Sequence, residues 1–175
     1  LDAAQDFARA GGTDLVLVHC PDFASPPIDE AGHRAAYADT VAMAQEVRAS
    51  VGLGVRVVLG PHPAAFAHQF EAWSLEGEAG HARAIEAYTS SIDAAVSFID
   101  EGLAHAVGEV GRPHWPVSED VWELSNELLA ETMRRAGREG FALQLHVEGE
   151  QATTYPEIAE MADREGCPRD RIVRH

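Results

Sequence analysis

The segment AVGEVGRPHWPV, at residues 106–117, combines the features from which the fold can be inferred. It begins as a short apolar run that contains one carboxylate, Glu109, and then turns through glycine and proline into a polar stretch. Similar apolar runs recur along the chain, and amphipathic stretches of helical length separate them. Strands are predicted at 15–19, 55–59, 106–110, 143–147 and 172–175, and helices at 2–10, 35–50, 82–102, 119–139 and 156–165.

This alternation of strands and helices predicts an α/β fold with a parallel sheet. The strands are apolar along most of their length, as expected when both faces of a sheet are covered. A doubly wound sheet and a TIM barrel share the pattern, but no Gly-x-Gly-x-x-Gly turn follows a strand, which disfavours the nucleotide-binding form of the doubly wound sheet. We therefore expect one domain over residues 1–175, of the (β/α)8 TIM-barrel type.

The length of the chain limits how much of a barrel it can form. A closed eight-stranded barrel usually needs roughly 250 residues, whereas this chain has 175. It lacks an initiator methionine, starts on a predicted helix and stops on a predicted strand. We therefore expect an incomplete barrel of about five strands, with sequence missing at both ends.

The charge and cysteine content limit partners and compartment. The formal net charge is −16, and all 13 basic residues are arginine. Such a surface repels a phosphate backbone at long range, and it is typical of proteins adapted to high salt. No apolar run approaches the ~20 residues that a membrane crossing needs. Cys20 and Cys167 fit a reducing cytoplasm and predict no disulfide framework.

Ionisable residues cluster at the predicted carboxyl ends of the strands, where parallel α/β folds place their sites. We predict a metal site formed by Glu109, His146 and His175, because imidazole and carboxylate together suit zinc and also manganese, iron or nickel. A carboxylate in a buried strand is costly unless it is paired or bound to a metal. His19 is interpreted as a polar loop residue outside this site.

Three further residues near the strand ends are candidate substrate contacts. His62 lies between two prolines that stiffen its turn. Arg112 either holds a substrate carboxylate or phosphate bidentately or forms a structural ion pair with a loop carboxylate. His114 is a candidate proton donor to a leaving group, a substrate contact or a further metal ligand. Glu148 and Glu150 are interpreted as solvated carboxylates near the rim.

These motifs resemble the TatD-like metal-dependent hydrolases, a TIM-barrel branch of the amidohydrolase superfamily. The resemblance lies in Gly60-Pro61-His62-Pro63, in Leu145-His146, in Val173-Arg174-His175 and in residues 108–117, whose form is similar to an uncharacterised archaeal subgroup. An archaeal halophile would also account for the acidic surface.

The resemblance implies a set of metal ligands. Glu109 would be a ligand able to bridge two metal ions, with His146 and His175 as further ligands. The His-x-His pair and the final Asp of the family pattern are absent from residues 1–175. About half of a site is therefore expected in this chain.

The resemblance further implies a hydrolase that uses one or two divalent ions, zinc foremost, with manganese, iron, nickel or magnesium as alternatives. A metal-activated water would attack a phosphodiester, ester or amide bond, and the metal ions, helped by Arg112 and His114, would stabilise the developing charge. The expected substrate is a small anion or a nucleic-acid end, and oligomers are compatible with open sheet edges. Two alternatives remain open: a non-catalytic metal-binding or scaffold fragment, and a doubly wound binding module with incidental histidines.

Overall fold

The fold is built on one sheet of five parallel strands, seen in a computed structural model that describes residues 1–149 and 152–175. Each strand pairs in parallel with the next one in the sequence, and the sheet curls into half of a barrel. This confirms the α/β class and the partial TIM-barrel type. The strands are β1 (Asp14–Val18), β2 (Gly54–Leu59), β3 (Ala106–Gly111), β4 (Leu143–His146) and β5 (Ile172–Arg174).

Helices connect the strands and pack against the sheet. They are α1 (Asp2–Arg9), α2 (Glu30–Val51), α3 (Pro63–Trp73), α4 (Glu78–Asp100), α5 (Glu119–Glu139) and α6 (Thr154–Glu165). Three starts differ from the sequence prediction, since α2 begins at Glu30, α4 at Glu78 and α6 at Thr154, and α3 was not predicted as a separate element. Asp29 explains the early start of α2, because its side chain accepts a hydrogen bond from the Gly32 amide and caps the helix.

The hydrophobic core lies between the strands and the surrounding helices. All six residues of β3 are buried, and residues such as Val107, Leu143 and Leu129 are fully buried. On the outermost strands, by contrast, Val16 and Val173 are more than half exposed. Helices of the described part of the chain all lack the combination of length and apolar character that a bilayer crossing requires.

Candidate metal centre

Glu109 is the focus of the site at the carboxyl ends of the strands. Its side chain is buried, and three imidazoles approach its carboxylate. Nδ1 of His175 lies 2.5 Å from Oε1, Nδ1 of His146 lies 3.4 Å from Oε2 and Nε2 of His62 lies 3.5 Å from Oε2. The structure thus brings together the three residues predicted as ligands, and it adds His62 to them.

The donor set fits a divalent cation. Glu109 and His146 form a group with His62 in which one ligand atom from each lies within 4.8 Å of the others; His175 is not in this group, and its contact with the site is the 2.5 Å approach of its Nδ1 to Oε1 of Glu109. Ligand atoms around a tetrahedral zinc ion are roughly 3.4 Å apart, as follows from bonds of about 2.1 Å. Oε1 of Glu109 is buried and makes no hydrogen bond of normal geometry with the described residues. A cation would compensate this buried carboxylate, which is otherwise costly.

The hydrogen bond on the other side of the His62 ring argues against metal coordination by this residue. Nδ1 accepts a hydrogen bond from the Ala64 amide at 3.1 Å and caps α3. In a neutral imidazole the proton then sits on Nε2, the nitrogen that faces Glu109. A nitrogen that carries a proton has no lone pair for a metal. His62 is therefore a hydrogen-bond donor at this site and not a metal ligand.

Burial and charge keep the His62 ring neutral. Burial lowers its pKa to about 4, and the neighbouring imidazoles of His146, His114 and His175 act in the same direction. Ring centroids of His62 and His146 are 4.6 Å apart, so a second positive charge there would be repelled. The neutral donor form of His62 is consequently the one present near neutral pH.

Backbone contacts between neighbouring strands fix the ligand positions. A Cβ on Gly111 would overlap with the carbonyl group of His146, so only glycine allows β3 and β4 to come this close. The Arg112 amide donates to the same carbonyl at 3.2 Å, and the His175 amide donates to the Leu145 carbonyl at 3.0 Å. These bonds hold the carboxyl ends of β3, β4 and β5 side by side, just beyond the shift in the β3–β4 register between Val107 and Val110 that contains Glu109.

Arg112 forms a buried ion-pair network instead of projecting freely over the site. Its Nε donates to Glu148 at 2.9 Å, Nη1 donates to Asn126 at 3.0 Å, and Nη2 donates to Glu148 and, at 2.9 Å, to Glu157. The guanidinium also lies 4.7 Å from the centre of the Trp122 ring. Of the two roles that the sequence left open for Arg112, the structure shows the ion pair.

The same network corrects the interpretation of Glu148. This residue was expected to be a solvated carboxylate, but its side chain is 11% exposed and paired with Arg112. Burial has the largest single effect and would raise the pKa of Glu148, but the hydrogen bonds and positive charge of Arg112, a backbone hydrogen bond and the Thr154 hydroxyl together lower it. Likewise, burial would lower the pKa of Arg112, but Glu148 and Glu157 raise it. Glu150 lies outside the described residues.

His114 and His19 occupy different surroundings. The His114 ring is exposed and lies 4.8 Å from the ring of His146, next to a cavity of about 360 Å³. Nδ1 of His19 pairs with Thr40 Oγ1 at 2.9 Å, away from Glu109. Burial, with a smaller effect of His33, lowers the pKa of His19 to about 4. His114 therefore borders the candidate centre, whereas His19 belongs to the packing of α2.

Sequence reasoning missed the partners of Arg112 and one wall of the cavity. Asn126 and Glu157 lie on helices, so their approach to Arg112 depends on helix packing. Arg174 lines the cavity together with the histidines. The position of Arg174 in the sequence, directly before the predicted ligand His175, could have predicted that it lies close to the site.

Comparisons with known proteins agree with the family resemblance of the motifs. The chain matches the TatD related DNase family over residues 1–175. It is 30% identical over 174 residues to the uncharacterised protein MJ1127 of the archaeon Methanocaldococcus jannaschii, an alignment that covers 98% of this chain and 58% of that relative. The chain thus spans well under two thirds of the length of this relative. No solved structure matches it significantly. Because the family match covers every residue, the chain belongs to the TatD related DNase family.

Proposed function

We propose that this chain carries part of the active site of a divalent-metal-dependent hydrolase. The observation that carries the proposal is the buried carboxylate of Glu109, which meets the imidazoles of His146 and His175 while its Oε1 receives no hydrogen bond of normal geometry from residues 1–149 and 152–175. Membership in a family described as DNases supports hydrolysis as the type of reaction. The bond cleaved is a phosphodiester, an ester or an amide.

In this proposal Glu109, His146 and His175 hold one or two divalent ions. Zinc fits the donor set best, and manganese, iron, nickel or magnesium are alternatives. Such an ion would supply a hydroxide near neutral pH by lowering the pKa of bound water. Glu109 contributes the negative charge, and the two imidazoles contribute neutral donors that leave the site able to accept an anionic substrate.

The neighbouring residues act on the substrate. His62 donates its Nε2 proton to a substrate oxygen, where charge develops during cleavage. The exposed ring of His114, close to His146, is placed to give a proton to the leaving group. Four hydrogen bonds tie the guanidinium of Arg112 to Glu148, Asn126 and Glu157, so we assign it a positioning role for the loop after β4.

We propose a small anion or a nucleic-acid end as the substrate. The family description favours a nucleic acid, whereas the net charge of −16 disfavours a long polyanion at low salt. A short end or a small phosphoester satisfies both observations. The competing proposal, a metal-binding or scaffold fragment without turnover, predicts bound metal but no hydrolysis.

The deciding experiment measures metal content and hydrolysis on the same samples. Zinc- or manganese-loaded protein is analysed by mass spectrometry of the metal and assayed with bis-p-nitrophenyl phosphate and with single-stranded DNA. Glu109→Gln keeps the shape of the side chain but removes its charge, and should weaken metal affinity by at least about 10–100-fold. Arg138→Gln, an exposed change in α5, is the matched control. Unchanged metal content in Glu109→Gln would remove Glu109 from the ligand set.

A further inference from the structure

A cavity of about 360 Å³ adjoins the candidate metal centre and shares His146 and His175 with it. It is lined by the imidazoles of His114, His146 and His175, by Arg174 and Gly149, and by Glu148, whose carboxylate is paired with Arg112. Small-molecule sites typically occupy about 300–1,000 Å³. A small substrate cleaved near Glu109 would extend into this cavity, so its walls contact parts of the substrate remote from the cleaved bond.

Arg174 is the cationic side chain of this cavity. Its Nη1 donates to the hydroxyl of Tyr155 at 2.9 Å, and its Cζ lies 5.7 Å from the centre of the Tyr155 ring. None of the ion pairs among residues 1–149 and 152–175 involves Arg174. Arg112, at the same rim, is in contrast paired with two carboxylates. Arg174 therefore keeps N–H donors for a ligand.

Gly149 leaves the space that the guanidinium occupies. A Cβ added at residue 149 would overlap with Nη2 of Arg174 and would lie 3.1 Å from its Cζ. An alanine there would push the guanidinium away from the cavity wall without removing its charge. Gly149→Ala therefore tests whether the position of the guanidinium matters, whereas a substitution of Arg174 tests whether the guanidinium is needed at all.

Strand geometry separates Arg174 from the metal ligands. Arg174 pairs in register with Leu145, and the His175 amide follows by bonding to the Leu145 carbonyl. Arg174 is the last residue of β5 and His175 follows it; His175 reaches Glu109 and Arg174 reaches Tyr155 on α6, while both side chains border the cavity. His175 thus belongs to the candidate metal centre, and Arg174 supplies the positive charge in the wall of the cavity.

We propose that Arg174 binds an anionic group, a phosphate monoester or a carboxylate, on a small substrate whose cleaved bond lies at the metal centre. The planar guanidinium fork matches either oxyanion bidentately. The cleavage part of this statement rests on the proposed function, but the anion site does not need the metal. This anion site favours substrates that carry a terminal anionic group over neutral substrates.

The test uses metal-depleted protein at pH 8, with inorganic phosphate and acetate as separate calorimetric probes. We expect wild type to bind at least one probe with a Kd in the range of about 1 mM. Arg174→Gln should weaken binding about tenfold, and Gly149→Ala should weaken it as well. Arg174→Lys should fall between, because it keeps the charge but loses the fork. Preference for phosphate or for acetate identifies the anion class.

Arg171→Gln is the matched control, since Arg171 is exposed, lies three residues earlier and has no ion pair among the described residues. It should bind the probe like wild type. Absence of probe binding in wild type, or equal binding by wild type and Arg174→Gln, overturns the proposal. Metal content, measured separately on loaded samples, should not change in Arg174→Gln. Failure of metal binding would remove the proposed hydrolase while leaving the anion site measurable.

Discussion

At the scale of single residues, the candidate centre distinguishes histidines that distance alone would treat alike. His62 and His146 lie 3.5 Å and 3.4 Å from the same oxygen of Glu109. Only His62 uses its second ring nitrogen to accept a backbone hydrogen bond, from the Ala64 amide. Metal-binding histidines almost always donate from that second nitrogen. The hydrogen-bond direction therefore separates a proton donor from a ligand.

This assignment predicts the behaviour of His62→Asn. Asparagine is a good N-cap residue, so it should preserve α3 and change the free energy of unfolding by less than about 0.5 kcal/mol. It removes the Nε2 proton donor, and kcat should fall about 10²–10³-fold, as for loss of one oxyanion donor. Metal content should remain that of wild type. Metal analysis, thermal unfolding and hydrolysis kinetics check these three expectations.

His146→Asn serves as the contrasting variant for this prediction. It removes a proposed ligand and should reduce metal content together with kcat. If His62→Asn lost metal to the same extent as His146→Asn, His62 would be a ligand and its assignment as a donor would be wrong.

The residue scale also shows what the sequence could and could not reveal. Positions of Glu109, His146 and His175 follow from strand ends, which local patterns predict. The partners of Arg112 do not, because Glu148 and Glu157 lie 36 and 45 residues away in the chain. Which of several nearby carboxylates a guanidinium meets depends on side-chain direction and helix packing, and neither has a local sequence pattern.

At the scale of elements, strands were predicted more accurately than helix starts. β3 ends one residue later than predicted and β4 one residue earlier, because short apolar runs bounded by glycine or polar residues define strands well. The separate helix α3 was missed, although its capping residue His62 and its first residue Pro63 were noted. Proline at the first position of a helix is favourable, so the turn and the helix start coincide there.

Arg112 links the carboxyl ends of β3 and β4 to α5 and α6. We therefore expect its replacement to lower the free energy of unfolding substantially. Replacing it by glutamine leaves the mostly buried carboxylate of Glu148 without its counter-charge. Removing one partner of a buried ion pair costs about 3–5 kcal/mol, and at this chain length each kcal/mol shifts Tm by about 2–4 °C. Chemical and thermal unfolding of Arg112→Gln measure the loss.

Two further variants show whether this loss comes from the ion pair. Glu148→Gln in the Arg112→Gln background should recover part of the stability, since it removes the uncompensated charge. Arg138→Gln, at an exposed position of α5, should stay within about 0.5 kcal/mol of wild type. If Arg112→Gln lowered the free energy of unfolding no more than Arg138→Gln does, Arg112 would not stabilise the contacts between these elements.

At the scale of the whole molecule, two electrostatic effects act in opposite directions as the pH falls. The net charge of −16 makes the folded chain repel itself, and protonation of carboxylates relieves this repulsion. Half-buried neutral histidines resist protonation, however. Burial lowers the pKa of His19 to about 4 from its ordinary value of 6.5, and burial does the same for His62. The dependence of the unfolding free energy on pH therefore reflects both the relief of charge repulsion and the cost of protonating these histidines.

The histidine contribution has a definite sign and pH window. Between about pH 6.5 and about pH 4 the unfolded chain binds a proton on His19 that the folded chain does not, so acid favours unfolding. The stabilisation from neutral His19 is fully present above pH 6.5 and is lost as the pH falls towards 4. His19→Gln should therefore show a weaker fall of unfolding free energy across this window than wild type. Urea titrations of metal-depleted protein at several pH values measure that difference. High salt is used because it screens the net charge. Arg138→Gln changes no group that titrates between about pH 4 and pH 6.5, so its unfolding free energy should depend on pH as in wild type.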